Sequence, residues 1–103
     1  SRSEQRPQIE EELSYLQENM ASLVHRLNEL NRQEMALPAD SLTKKKQLEQ
    51  SIALTESKVK QNKAQIRQEL DSALVALQDH YRELAAETQL ARAELMQRLA
   101  SNN

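Results

Sequence analysis

The chain has 103 residues, enough for one domain at most, and a net charge of −2 that gives no reason to expect nucleic acid or an anionic membrane as a partner. It contains no glycine, cysteine, phenylalanine or tryptophan, and its aromatic residues are two tyrosines. A globular core normally needs larger side chains and tight turns, whereas this composition is typical of long helices and coiled coils. No apolar run approaches the roughly 18 residues that a membrane span requires, so no membrane insertion is expected.

The first predicted helix covers about residues 5–36. Pro7 suits its first turn, where the missing N–H costs nothing. The apolar residues then recur at alternating steps of four and three, which is the heptad spacing of a coiled-coil seam. The positions of this seam are Ile9, Leu13, Leu16, Met20, Leu23, Leu27 and Leu30.

The stretch Leu37–Asp40 is the one firm break in the helical pattern. Pro38 disfavours the α conformation at Leu37, so the first helix should end there. Asp40 or Ser41 can cap a following helix by accepting a backbone N–H. A short turn without positive φ angles is predicted, and one continuous helix with a proline kink is the competing interpretation.

The second predicted helix runs from about residue 40 to residue 101, and its apolar positions form two successive seams. The seams are separated by a step of four residues from Ile66 to Leu70 where the heptad pattern requires three, which predicts a slip in register. The first seam comprises Lys45, Leu48, Ile52, Thr55, Val59, Asn62 and Ile66. The second comprises Leu70, Leu74, Leu77, Tyr81, Leu84, Thr88, Ala91 and Leu95.

Folding at Pro38 brings the seam of the first helix against the first seam of the second helix, as an antiparallel coiled coil. The preferred register places Leu16 opposite Val59 and makes Ile9 opposite Ile66 the last layer. It predicts a hairpin over residues 5–69, in which Asn62 helps to fix the register at some cost in stability.

Charge and turn length bear on the same pairing. Residues 1–37 carry four basic and seven acidic groups (net −3), and residues 38–69 carry seven basic and four acidic groups (net +3), so the arms are complementary in sign. Ion pairs are expected between them, for example Glu10 with Lys63.

A register one heptad away also joins matching core positions but needs a longer turn, over about residues 38–44.

Residues 70–101 have no partner left within one chain and are predicted to form an interface. Leaving their leucines exposed would forgo roughly 1.5–3 kcal/mol for each side chain. We therefore expect a homo-oligomer, a dimer or a tetramer, with a helix of another protein as the alternative partner. An intertwined dimer, in which the arms exchange between copies, fits the same pattern.

No catalytic site, cofactor site or metal site is predicted. His80, Glu83 and Glu87 share a helix face, but a solvated charged face explains them better than a metal site. The lysines between Lys44 and Lys63 lack the net positive charge and the aromatic platforms that nucleic-acid binding would want, so nucleic acid is not expected as a partner. There is no glycine for a phosphate loop and no cysteine nucleophile.

The sequence thus predicts an all-α fold: an elongated, self-associating, antiparallel coiled-coil hairpin with one short and one long helix. The expected function is non-enzymatic oligomerisation or scaffolding, as a segment of a larger protein. One alternative is a recognition module, since antiparallel coiled-coil fingers that bind small GTPases are similar in layout. Another is an adaptor hairpin of a secretion system or the periplasm. The sequence leaves the compartment open.

Overall fold

A computed structural model describes residues 5–102 of the chain. They form two α-helices, α1 (Arg6–Met35) and α2 (Leu42–Ser101), which pack against each other as an antiparallel hairpin. The molecule is a rod of 95 × 16 × 14 Å. The predicted fold class, an elongated all-α helical hairpin, is therefore confirmed, and helix boundaries differ from the predicted ones by one or two residues.

Helix α1 begins next to one proline, Pro7, and ends three residues before the other, Pro38. Pro7 lies in the first turn, where helical N–H groups have no partner in any case. At the other end, the N–H of Ala36 donates to the carbonyl oxygen of Arg32 (3.1 Å), and the N–H of Leu37 donates to that of Glu34 (3.2 Å). Pro38 follows and has no N–H with which to continue the helix.

The connection between the helices is a tight turn, so the alternative of a kinked continuous helix is wrong. The carbonyl oxygen of Pro38 accepts a hydrogen bond from the N–H of Ser41 at 3.1 Å. Ser41 is the N-cap residue of α2, although its side chain makes no capping hydrogen bond. No residue in the range 5–102 has a positive φ, as expected for a turn built without glycine.

The helices pair in the second of the two predicted registers, and the preferred register is wrong. The longer turn over residues 38–44 that was expected with this register is also wrong, because α2 already begins at Leu42. Asn62 is buried, and its Nδ2 donates to the carbonyl oxygen of Leu16 at 2.9 Å. Its Oδ1 accepts a hydrogen bond from Nδ2 of Asn19 at 2.8 Å. In the preferred register Asn62 would lie opposite Leu13, one heptad along α1 from its observed place. Asn19 would then be out of its reach.

The contacts near the turn also fit the second register and not the preferred one. Leu30 lines a surface groove together with Leu48 and Ser51, whereas the preferred register placed it opposite Lys45. Lys45 is exposed to solvent instead. The observed register thus keeps this lysine out of the core, where its charge would have to be desolvated.

The open end of the hairpin reaches beyond residue 69. Ile9 and Leu13 line a groove with Ala73 and Ala76, so Ile9 does not face Ile66 as the preferred register predicted. Ala76 is only 3% exposed. The contact between the helices therefore extends into the segment from residue 70 onward that the sequence assigned to an interface.

The hairpin core is a single layer between two helices. Its buried residues are Ile9, Leu16, Leu30, Thr55, Asn62 and Ala76. Apart from the exposed Lys45, the other positions of the seam of α1 and of the first seam of α2 are half-buried: Leu13, Met20, Leu23, Leu27, Leu48, Ile52, Val59 and Ile66. Leu16, at 1% exposure, is the most completely buried large side chain. It lies beside Asn19 and Asn62, which we call the asparagine pair.

Candidate interaction surface

The clearest surface feature is a row of apolar side chains along α2. We call it the leucine stripe and define it as the following residues: Leu70, Leu74, Leu77, Tyr81, Leu84, Thr88, Ala91 and Leu95. Its leucines and tyrosine are between 43% and 63% exposed. Contiguous apolar surface of this kind commonly marks an interface.

The local geometry of α2 explains why helix α1 leaves the stripe uncovered. The hairpin seam continues without a slip from Ile66 through Glu69, Ala73 and Ala76, which are half-buried or buried. Stripe residues such as Leu70 come one position after a seam residue, which rotates them about 100° around a helix of 3.6 residues per turn. The stripe is therefore a second face of α2, next to the face that α1 covers.

Beyond the hairpin, every residue from His80 to Asn102 is exposed. Leu90, Met96 and Leu99 add apolar surface outside the stripe and are between 55% and 63% exposed. The interface residues that the sequence predicts thus lie along one helix, and all of them are exposed in the described part of the chain.

A groove at the open end of the hairpin adjoins the stripe. It has a volume of about 330 Å³, and its apolar walls are Ile9, Leu13, Ala73, Ala76 and Leu77. Arg6, Glu10 and His80 complete its lining. Leu77 belongs to both the groove and the stripe, so a helix lying along the stripe would also pass the groove.

The asparagine pair is a polar element of the core that the sequence identified only in part. Asn62 was predicted as a register-fixing residue, and the structure places it in the core. Its partner Asn19 was missed, because it lies next to the seam position Met20 and not on the seam. The signal that could have revealed it is that the second register brings Asn19 beside Asn62.

The ion pairs seen between described residues are local, within one helix. Among residues 5–102, the observed ion pairs join Arg6 with Glu10, Glu29 with Arg32, and Asp79 with Arg82, at 3.1–3.4 Å. The predicted pairing of Glu10 with Lys63 is therefore not formed, since Glu10 bonds to Arg6 on its own helix. A partner four residues away on the same helix is within easy reach of a long side chain.

The remaining candidates are the histidine and acidic side chains and the lysines near the turn. Within the described part of the chain, no group of three or more His, Cys, Asp or Glu side chains is placed to hold a metal ion. The exposed lysines Lys44–Lys46 lie near the start of α2. Neither helix, over the residues described, is long and apolar enough to cross a membrane.

Comparison of the chain with models of protein families, with curated proteins and with solved structures found no match.

Proposed function

We propose that this chain is a non-enzymatic coiled-coil segment that joins copies of itself through the leucine stripe and so sets their spacing. The observation that carries the proposal is the exposure of the stripe leucines, between 43% and 55%, on a face of α2 that is not buried against α1. Burial of each leucine in an interface contributes about 1.5–3 kcal/mol. Several such side chains together offset much of the entropic cost of association.

The shape of the molecule supports an architectural role. A rod 95 Å long and only 14–16 Å thick separates its ends by far more than a globular chain of the same size would. A long rod with an association surface near one end is suited to holding attached domains at a set distance.

Sedimentation equilibrium tests the proposal on the whole chain. At micromolar concentration we expect a mass of at least twice the 11.9 kDa of one chain. The mass should fall toward that of one chain on dilution, because association follows mass action. A single species of one-chain mass across the whole concentration range would contradict the proposal and would leave the stripe to a helix of another protein.

A further inference from the structure

We infer that the partner of the leucine stripe is a second copy in antiparallel orientation, with the two-fold axis between Arg82 and Glu83. This inference rests on the proposed self-association and specifies its geometry. Placing the axis there pairs every stripe residue with another stripe residue. The four layers, each occurring twice by symmetry, are Leu70 with Leu95, Leu74 with Ala91, Leu77 with Thr88, and Tyr81 with Leu84.

The sizes of the paired side chains favour this arrangement. In the antiparallel pair, the small residues Thr88 and Ala91 lie opposite leucines of the second copy, so each layer contains at least one large side chain. Layers that combine large and small side chains fill a two-helix core evenly. In a parallel pair, Thr88 and Ala91 would each face their own copies and would leave two successive thin layers.

Neighbouring antiparallel registers are less favourable. A shift by one heptad in one direction places Leu74 opposite Arg98 of the second copy and brings Glu87 next to Glu87. A shift in the other direction moves Leu95 beyond the stripe to face Lys63, on the part of α2 that belongs to the hairpin. Either shift gives up apolar layers and desolvates a charged side chain against leucine.

Charged residues beside the stripe agree with the same axis. Asp71 lies one residue after Leu70, and Arg92 lies one residue after Ala91, so both occupy the flank of the stripe on the same side. The antiparallel pair brings Asp71 of one copy beside Arg92 of the other, twice by symmetry. A parallel pair would bring Glu87 near Arg92, so charge is compatible with both orientations and the packing of the layers selects the antiparallel one.

The groove at the open end of the hairpin fits this geometry. The residues of the second copy around Leu95 would run alongside Leu70–Leu77, next to the groove lined by Ile9, Ala73 and Ala76. Each end of the overlap would then be a three-helix arrangement made of α1, α2 and the second copy. The dimer would be about 130 Å long, as estimated from a rise of 1.5 Å per residue, whereas a parallel pair would stay near the 95 Å of one chain.

Cysteine cross-linking tests the orientation, and the chain has no cysteine of its own. The variant that carries both Leu74→Cys and Ala91→Cys is expected to form a covalent dimer on mild oxidation, because these positions share a layer across the axis. The single variants Leu74→Cys and Ala91→Cys are the matched controls. Neither should cross-link, since identical positions lie about 25 Å apart in the antiparallel pair.

Each outcome has a definite meaning when the reduced variants are also sedimented. Cross-linking of either single variant would show a parallel pair and overturn the inference while leaving self-association in place. A dimeric mass without cross-linking of the double variant would overturn the inferred register. A one-chain mass for the unmodified protein would refute the proposed function together with this inference.

Discussion

Replacement of Leu77 and Leu84 by aspartate is expected to convert the chain to monomers while most of its helix is retained. Four buried leucines are lost from each dimer, at about 1.5–3 kcal/mol each, and four carboxylates are placed where water is excluded. A loss of only about 4 kcal/mol already raises a dissociation constant roughly a thousandfold. Sedimentation equilibrium measures the mass, and circular dichroism measures the helix content.

The matched control places the same two changes outside the stripe. Leu42 and Leu54 are also exposed leucines of α2, at 70% and 59%. The double variant Leu42→Asp with Leu54→Asp alters the net charge equally and should leave the mass unchanged. If the stripe variant keeps the mass of the unmodified chain, the leucine stripe is not the interface.

The hairpin itself should be most sensitive at Leu16. Its side chain is 1% exposed and lies beside the asparagine pair. Leu16→Ala removes buried methyl groups and leaves a cavity between the helices, which typically costs about 2–5 kcal/mol of the free energy of unfolding. Urea unfolding, monitored by circular dichroism, measures the change.

The control for this prediction is Leu54→Ala, the same substitution at a position that is 59% exposed. Its effect should stay within about 0.5 kcal/mol, as is usual for surface changes. Both variants should be compared at one protein concentration, because the stability of an associating chain depends on it. Equal effects at the two positions would show that Leu16 does not anchor the core.

The two helices and the turn between them could be predicted from sequence because their signals are local. Heptad steps from Ile9 to Leu30 identify the core face of α1, and Pro38 marks where that helix must end. The exposed stripe on α2 was also recognisable, since its leucines recur at coiled-coil spacing. These features depend only on residues close together in the chain.

The register could not be predicted in the same way, because it depends on contacts between distant residues. Registers one heptad apart match apolar positions almost equally well, so periodicity alone does not separate them. In the observed register Asn62 satisfies its polar groups on Leu16 and Asn19, and an unsatisfied buried amide would cost about 1–3 kcal/mol.

The end of the hairpin shows a second limit of the sequence pattern. The step from Ile66 to Leu70 suggested that the core face rotates there. Instead, α1 continues along Ala73 and Ala76, which are apolar and small enough for close packing of two helices, and the leucines form a separate neighbouring face. Two adjacent apolar faces on one helix look like one shifted face when only the sequence is considered.

Hydrogen exchange at several protein concentrations tests the central claim, self-association through the leucine stripe, most directly. In single chains the residues from His80 to Asn102 are exposed, so this part of the helix should exchange its amide hydrogens fast. We expect exchange of peptides from residues 80–101 to slow markedly as concentration rises, while peptides around Leu16 and Asn62 change little. Exchange in residues 80–101 that is fast and independent of concentration would contradict the claim.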